Sequence, residues 1–304
     1  MQFRKFAFLS VLAVVVISGC VGGSTQGTAV EFSQTEGAVI NDFSFDSSQI
    51  FENDTALLTI RVQNVGAKNM TGDSQYFIYN FVSGSEPEKW GVLSGNLTQV
   101  LTTTGFLPPD VERRIPGSLD IQTVELRAPT LGLAPGMIKD DTFKIRLCYP
   151  YSTTAFSTVT TSSKNELRIS NPKTSDAVTR ATAGPIQMKL ISGDTMVSGR
   201  DMILVFEVTN VGGGFSTKPD TPCTSQVADV PFSETDKVKV TVKVDGATAC
   251  DNKEVRISNG KGTLSCKATG LTSSGPTTPH TIVATATYDY FITKEAKLTV
   301  KSNQ

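Results

Sequence analysis

The 304-residue sequence predicts an all-β chain: two tandem β-sandwich domains behind an N-terminal leader and a flexible tether. Three observations carry that prediction. Apolar and polar residues alternate with period two along many short stretches, the pattern of a strand with one buried face. After Cys20 no stretch carries a helical stripe of ten residues, because Gly, Pro, Asn and Ser interrupt too often. The chain also repeats weakly. Leu58 to Gly66 (LTIRVQNVG) resembles Leu204 to Gly212 (LVFEVTNVG) at an offset of 146, and Tyr149-Pro-Tyr151 resembles Tyr288-Asp-Tyr290 at an offset of 139.

The leader comes first. Arg4 and Lys5 precede a 12-residue apolar run, Phe6 to Ile17, broken only by Ser10. Twelve helical residues rise about 18 Å, short of the roughly 30 Å hydrocarbon core, so residues 1–19 read as a secretory signal peptide. The run ends Ile17-Ser18-Gly19-Cys20: apolar, small, small, cysteine. That ending resembles the lipobox of bacterial and archaeal lipoproteins. The resemblance implies cleavage before Cys20, lipid on Cys20, and a lipid-anchored protein on the outer face of the cell membrane. An ordinary signal peptide cleaved near Gly22-Gly23-Ser24 is the alternative. Residues 20–36 are rich in Gly, Ser, Thr and Gln and read as a flexible tether.

The strands follow. In a first domain over 37–172, Leu58, Ile60 and Val62 share one face of a strand, and Phe143, Ile145, Leu147 and Tyr149 share one face of another. A linker is expected over 173–182. In a second domain over 183–302, the faces are Met202 to Val208, Val238 to Val244, and Ile282 to Tyr288. Ser258-Asn259-Gly260-Lys261 is a hairpin turn between Val255–Ile257 and Thr263–Ala268. Tyr149/Tyr151 and Tyr288/Tyr290 read as aromatics closing a sandwich core. Two long connections, 83–120 and 212–236, offer a contact surface or cover for exposed sheet edges.

Each strand that carries the repeat ends in Asn-x-Gly, as Asn64-Val65-Gly66 and Asn210-Val211-Gly212. This resembles the CARDB type of immunoglobulin-like domain found in bacterial and archaeal surface proteins. Both residues accept left-handed φ, which lets a strand leave its sheet sharply. Cys148-Tyr-Pro-Tyr151 and the hairpin Asn259 to Cys266 also resemble uncharacterised archaeal surface proteins. These resemblances imply a fold and a location, and no activity.

Composition closes off most chemistry. Lys plus Arg is 28 and Asp plus Glu is 29, so nothing in the net charge of −1 attracts nucleic acid. The single histidine, His280, reads as an exposed loop residue after Pro279. One histidine and no C-x-x-C pair argue against a metal site. Asp140-Asp141 and Asn41-Asp42 with Asp46 read as solvated turn residues rather than calcium ligands. No Gly-x-Ser-x-Gly occurs, and Gly212-Gly-Gly-Phe lacks the following helix that a phosphate cradle needs. No cofactor is expected, and no enzyme.

What remains is a set of surface features. Cys223, Cys250 and Cys266 are disulfide candidates in the second domain, with Cys266 pairing either of the other two. Cys148 stands alone in the first domain, free or joined to another chain. Asn53, Asn69 and Asn96 head N-x-[ST] glycosylation patterns. The sole tryptophan, Trp90, is a possible ligand contact. The expected function is a structural or adhesive role at the cell surface, toward a protein or glycan partner. The alternatives are a filament subunit assembling by strand exchange through Thr28–Ser33, or a carbohydrate- or solute-binding module built on Trp90.

Overall fold

The computed structural model describes residues 30–70, 74–81, 90–101, 105–170, 177–192, 195–219, 221 and 233–303. The leader, Cys20, Cys223 and the tether before Val30 lie outside them. The first half of the chain forms β1 (Ala38–Phe45), β2 (Gln49–Phe51), β3 (Thr55–Asn64), β4 (Gln75–Phe81), β5 (Gly91–Ser94), β6 (Thr98–Val100), β7 (Leu119–Arg127) and β8 (Ile138–Ser162). One short helix, α1 (Lys164–Ser170), follows; the Ser163 hydroxyl caps it by accepting from Glu166 N at 3.1 Å. The second half forms β9 (Thr179–Ala181), β10 (Ile186–Leu190), β11 (Thr195–Val197), β12 (Met202–Asn210), β13 (Phe215–Thr217), β14 (Lys237–Val244), β15 (Ala247–Arg256), β16 (Lys261–Ala268) and β17 (Thr277–Lys301). The chain is all-β, as the alternation required: in β14, Val238, Val240, Val242 and Val244 are buried between partly exposed neighbours.

Among the described residues three sheets make two sandwiches. β1-β3-β7-β5 packs over one end of a ten-stranded sheet, and β10-β12-β16 over the other. The large sheet runs β15-β14-β17-β8-β4-β6, with β2, β9, β11 and β13 added along the two central strands. Those central strands are each 25 residues long and pair antiparallel without a break, from Ile138 opposite Lys301 to Ser162 opposite Thr277. At about 3.3 Å per residue the ribbon is roughly 80 Å long, so it serves both sandwiches. Among the described residues the largest apolar cluster runs from Ala38 to Ala296 through both halves, with smaller clusters around Leu298 and Phe291.

The halves are related by the sequence repeat. β11 pairs in parallel with β8, Thr195 opposite Thr160, and β2 pairs in parallel with β17, Gln49 opposite Thr299. Gln49 to Thr195 is an offset of 146 and Thr160 to Thr299 is an offset of 139, the two values read from the sequence. The last strand of each repeat therefore begins in its own sandwich and ends in the other. Pro150 and Pro279 fit this ribbon because of their phase. Even-numbered backbone groups of β8, such as those of Thr154, and odd-numbered ones of β17, such as those of Thr299, bond away from the ribbon partner. A proline at either position removes no bond between the long strands.

Several expectations change here. The second half is not separate at the level of the sheet, because Asp289 to Lys301 pairs with Ile138 to Pro150. Within the expected linker 173–182, Thr179–Ala181 is strand β9, paired with β8. Residues 33–36, expected in the tether, are bonded to both halves: Ser33 N donates to Val65 O at 2.7 Å and Gly184 N donates to Gln34 O at 3.0 Å. His280 is buried on β17 rather than exposed in a loop. Asn259 and Gly260 do take positive φ in the predicted hairpin turn, at 53° and 79°.

Candidate interaction surface

The middle of the ribbon is a waist where four tyrosines meet. Tyr149 and Tyr151 on β8 lie directly opposite Tyr290 and Tyr288 on β17. All four are buried, with ring centroids 5.8 Å apart for Tyr149–Tyr290 and 6.2 Å for Tyr151–Tyr288. Same-face cross-strand aromatics of this kind fix register and exclude water. Burial raises the pKa of all four hydroxyls, so they stay neutral donors and acceptors.

Each Asn-x-Gly loop closes on one of these rings. In the first half, Asn64 Oδ1 accepts from Gly66 N at 3.1 Å, Asn64 Nδ2 donates to Lys68 O at 3.0 Å, and Ala67 N donates to the Tyr151 hydroxyl at 3.0 Å. In the second half, Asn210 Oδ1 accepts from Gly212 N at 3.2 Å, Asn210 Nδ2 donates to Gly214 O at 2.9 Å, and Gly214 N donates to the Tyr290 hydroxyl at 2.9 Å. Neither Asn nor either glycine of the motif takes positive φ, which corrects the expected reason for it. The glycine is required by proximity instead: a Cβ on Gly66 would lie 2.6 Å from the Tyr151 hydroxyl oxygen, and Gly212 meets Tyr290 in the same way.

Glu36 joins the waist from the N-terminal side. Its Oε1 accepts from Gly213 N at 2.8 Å, while Oε2 is buried without a hydrogen-bond partner. Burial raises its pKa, and the Gly213 bond offsets this only in part.

The remaining residues singled out from sequence fall in separate places. Trp90 is half-buried at the far end of the first half; its indole N–H donates to Asp141 Oδ2 at 2.8 Å and its ring packs edge-on to Phe143 at 5.1 Å. Asp141 is correspondingly buried, not a solvated turn residue. His280 lies between Asp245 and Thr161, with Nδ1 2.6 Å from Asp245 Oδ2 and Nε2 2.9 Å from Thr161 Oγ1. Burial works to raise the Asp245 pKa, but His280 and the Thr281 amide outweigh it and hold the carboxyl below its usual range. Thr161 is 1% exposed, so this Asp–His–Thr arrangement offers no open nucleophile and serves to satisfy buried polar groups.

Cys250 on β15 is bonded to Cys266 on β16, with Cα atoms 5.6 Å apart, tying the large sheet to the small one. Cys148 is also disulfide-bonded, which corrects its expected free or intermolecular state. Asn53, Asn69 and Asn96 all stand exposed between strands of the first half, Asn53 on a turn with φ of 63°. Among the described residues no group of three or more His, Cys, Asp or Glu side chains converges as a metal site.

Exposed large apolar side chains concentrate in the first of the two long connections expected to offer a contact surface or to cover sheet edges. Between Gly91 and Ile121 the chain exposes Val92, Leu93, Val100, Leu107, Val111 and Ile115, the last three at 56%, 56% and 53%. β5 is exposed at all four residues and forms one edge of its sheet. Leu119 and Ile121 continue the apolar surface along the outer face of β7. Apolar exposure concentrated in one segment makes it the candidate contact surface of the described residues.

No family model matches the chain, and no curated protein matches it. Among the solved structures that do match is the D0-D1 domain of intimin, which covers 86% of this chain and 98% of its own at 13% identity and a TM-score of 0.20. At that TM-score the double sandwich rests on the strand pairing described above.

Proposed function

We propose that this chain is a non-enzymatic surface protein, anchored through lipid on Cys20 and working as a structural or adhesive element outside the membrane. The observation that carries the contact role is the run of exposed apolar side chains between Gly91 and Ile121, carried on the double sandwich. The lipobox ending Ile17-Ser18-Gly19-Cys20 and the CARDB-like loops support the location and the domain type. The fold suits that work. The N-terminal segment joins it at the waist, so an anchor on Cys20 holds both sandwiches at a similar distance from the lipid. At no more than about 3.6 Å per residue, the 13 residues from Cys20 to Ser33 span at most about 47 Å. Two acyl chains give stable anchoring without a transmembrane helix, and among the described residues no helix is long and apolar enough to cross a membrane.

Detergent phase partitioning with intact mass tests the anchor. Native protein should enter the detergent phase with added lipid mass, and Cys20→Ser should not. Both remaining aqueous would remove the anchor from the account. Charge placed on this run, as Val111→Lys with Ile115→Lys, tests the contact role. Adhesion of cells displaying the protein should fall while its melting temperature holds; unchanged adhesion would move the contact elsewhere.

A further inference from the structure

The two repeats differ at one seam of the ribbon. Along β8, strand β9 fills the side facing away from β17: Ala181 lies opposite Ala155, Thr179 opposite Ser157, and Thr182 N donates to Thr154 O at 2.9 Å. The offset of 139 carries Ala155 to Lys294 and Phe156 to Glu295 on β17. No described strand pairs with β17 there. β13 stops at Phe291 and β2 begins at Thr299. Thr299 N donates to Ser48 O, and Lys301 O accepts from Glu52 N, so the odd-numbered backbone groups of β17 face this side. Thr293, Glu295 and Lys297 therefore present N–H and C=O groups along an open edge among the described residues, a template for an added strand.

The repeat also says which residues correspond to β9. Val65 N and Gly66 N donate to Gly37 O, and Val211 N and Gly212 N donate to Pro185 O, which sets the local offset at 148. That offset carries Thr179–Ala181 to Glu31-Phe32-Ser33, and Ala177-Val178 to Ala29-Val30, an identical pair. In its own molecule this segment is directed elsewhere, with Ser33 bonded to Val65 and Gln34 to Gly184 and Gln187 of the second repeat. Charge fits as well. The seam residue Ala155 in the second sandwich is replaced in the first sandwich by Lys294, whose Nζ reaches the carbonyls of Ile40 and Asn41 at 3.1 and 3.0 Å. In the same register Thr179 is replaced by Glu31, diagonal to Lys294 across the pair.

We propose that the Thr293–Lys297 edge of β17 accepts the Ala29–Ser33 segment of a second copy of this chain as an added antiparallel strand, with Phe32 opposite Glu295. Self-association then proceeds through the N-terminal arm, independently of the exposed apolar run and of the lipid.

The test places a p-benzoylphenylalanine photocrosslinker at Phe32 in full-length Cys20→Ser protein, mixes isotopically light and heavy copies, and sequences the crosslinked peptides. The expected product is a covalent dimer joining a light residue 32 to a heavy peptide spanning 292–298. Thr293→Pro, which removes an N–H from the open edge and none from the ribbon, should abolish it. Lys294→Glu should weaken it, and Glu31→Lys with Lys294→Glu should restore it. Crosslinks to 292–298 within one chain, crosslinks only to the waist, or no dimer would each overturn the proposal. Because the lipid is absent throughout, failure here leaves the anchoring account standing.

Discussion

The hydroxyl of Tyr290 donates to Asn210 Oδ1 at 2.9 Å while accepting from Gly214 N, so one phenol closes the loop that ends β12. Its counterpart Tyr151 accepts from Ala67 N and donates to Ala183 O at 3.2 Å, reaching from the first repeat's loop to the second repeat's backbone. The two repeats are thus joined by packing and by directed hydrogen bonds at the same four rings.

Removing those hydroxyls should have position-specific effects. Tyr151→Phe and Tyr290→Phe each remove a part-buried hydrogen bond to a backbone N–H, of Ala67 and of Gly214, which costs about 0.5–1.5 kcal/mol. The Tyr149 hydroxyl is buried without a hydrogen-bond partner, so Tyr149→Phe should be close to neutral. Denaturant titration of the three variants checks the ordering.

Gly66→Ala and Gly212→Ala place a methyl group against a tyrosine hydroxyl held on both sides. Overpacking of this kind costs about 1–3 kcal/mol, and the two variants should be destabilised alike if the repeats are equivalent at the waist. Thermal melts of both, compared with Gly199→Ala where a Cβ meets open space, separate crowding from backbone strain.

These relationships were only partly legible in the sequence. The strands were, because half-burial imposes period two: Leu58, Ile60 and Val62, or Val238 to Val244, need no partner to be read. The tyrosine pairs were legible as core aromatics, yet their meeting across β8 and β17 was not. Register between strands 139 residues apart is set by long-range packing, which local pattern does not encode. His280 was misread because proline is a strong loop and turn signal; here Pro279 sits inside β17, at a position whose missing N–H faces away from the ribbon partner. Trp90 gave no hint of Asp141, its partner 51 residues away. The segment from 91 to 121 was legible as a long connection offering a contact surface, but which of its apolar side chains stand exposed was not, since exposure cannot be told from apolar composition alone.

Stability should carry a pH signature at the waist. Burial raises the Glu36 pKa above its ordinary 4.5, so the folded state holds this proton more tightly than the unfolded chain. Its contribution is most favourable below the unfolded value and is lost as pH rises through the folded one. Glu36→Gln keeps the acceptor for Gly213 N without the charge. Its melting temperature should exceed the parent's at pH 7, with the gap closing near pH 4.

Cys250 and Cys266 close a loop with a sequence separation of 16. In the chain-entropy model that bond contributes about 3 kcal/mol. Cys250→Ala with Cys266→Ala should lower the denaturation midpoint accordingly and make the chain less resistant to proteolysis.

The central claim is that the shared ribbon makes two sandwiches into one folding unit. Differential scanning calorimetry of residues 20–304 tests it most directly. The account predicts a single transition whose calorimetric and van't Hoff enthalpies agree. Two resolved transitions, each moved by substitutions in one repeat only, would contradict it and restore independent tandem domains.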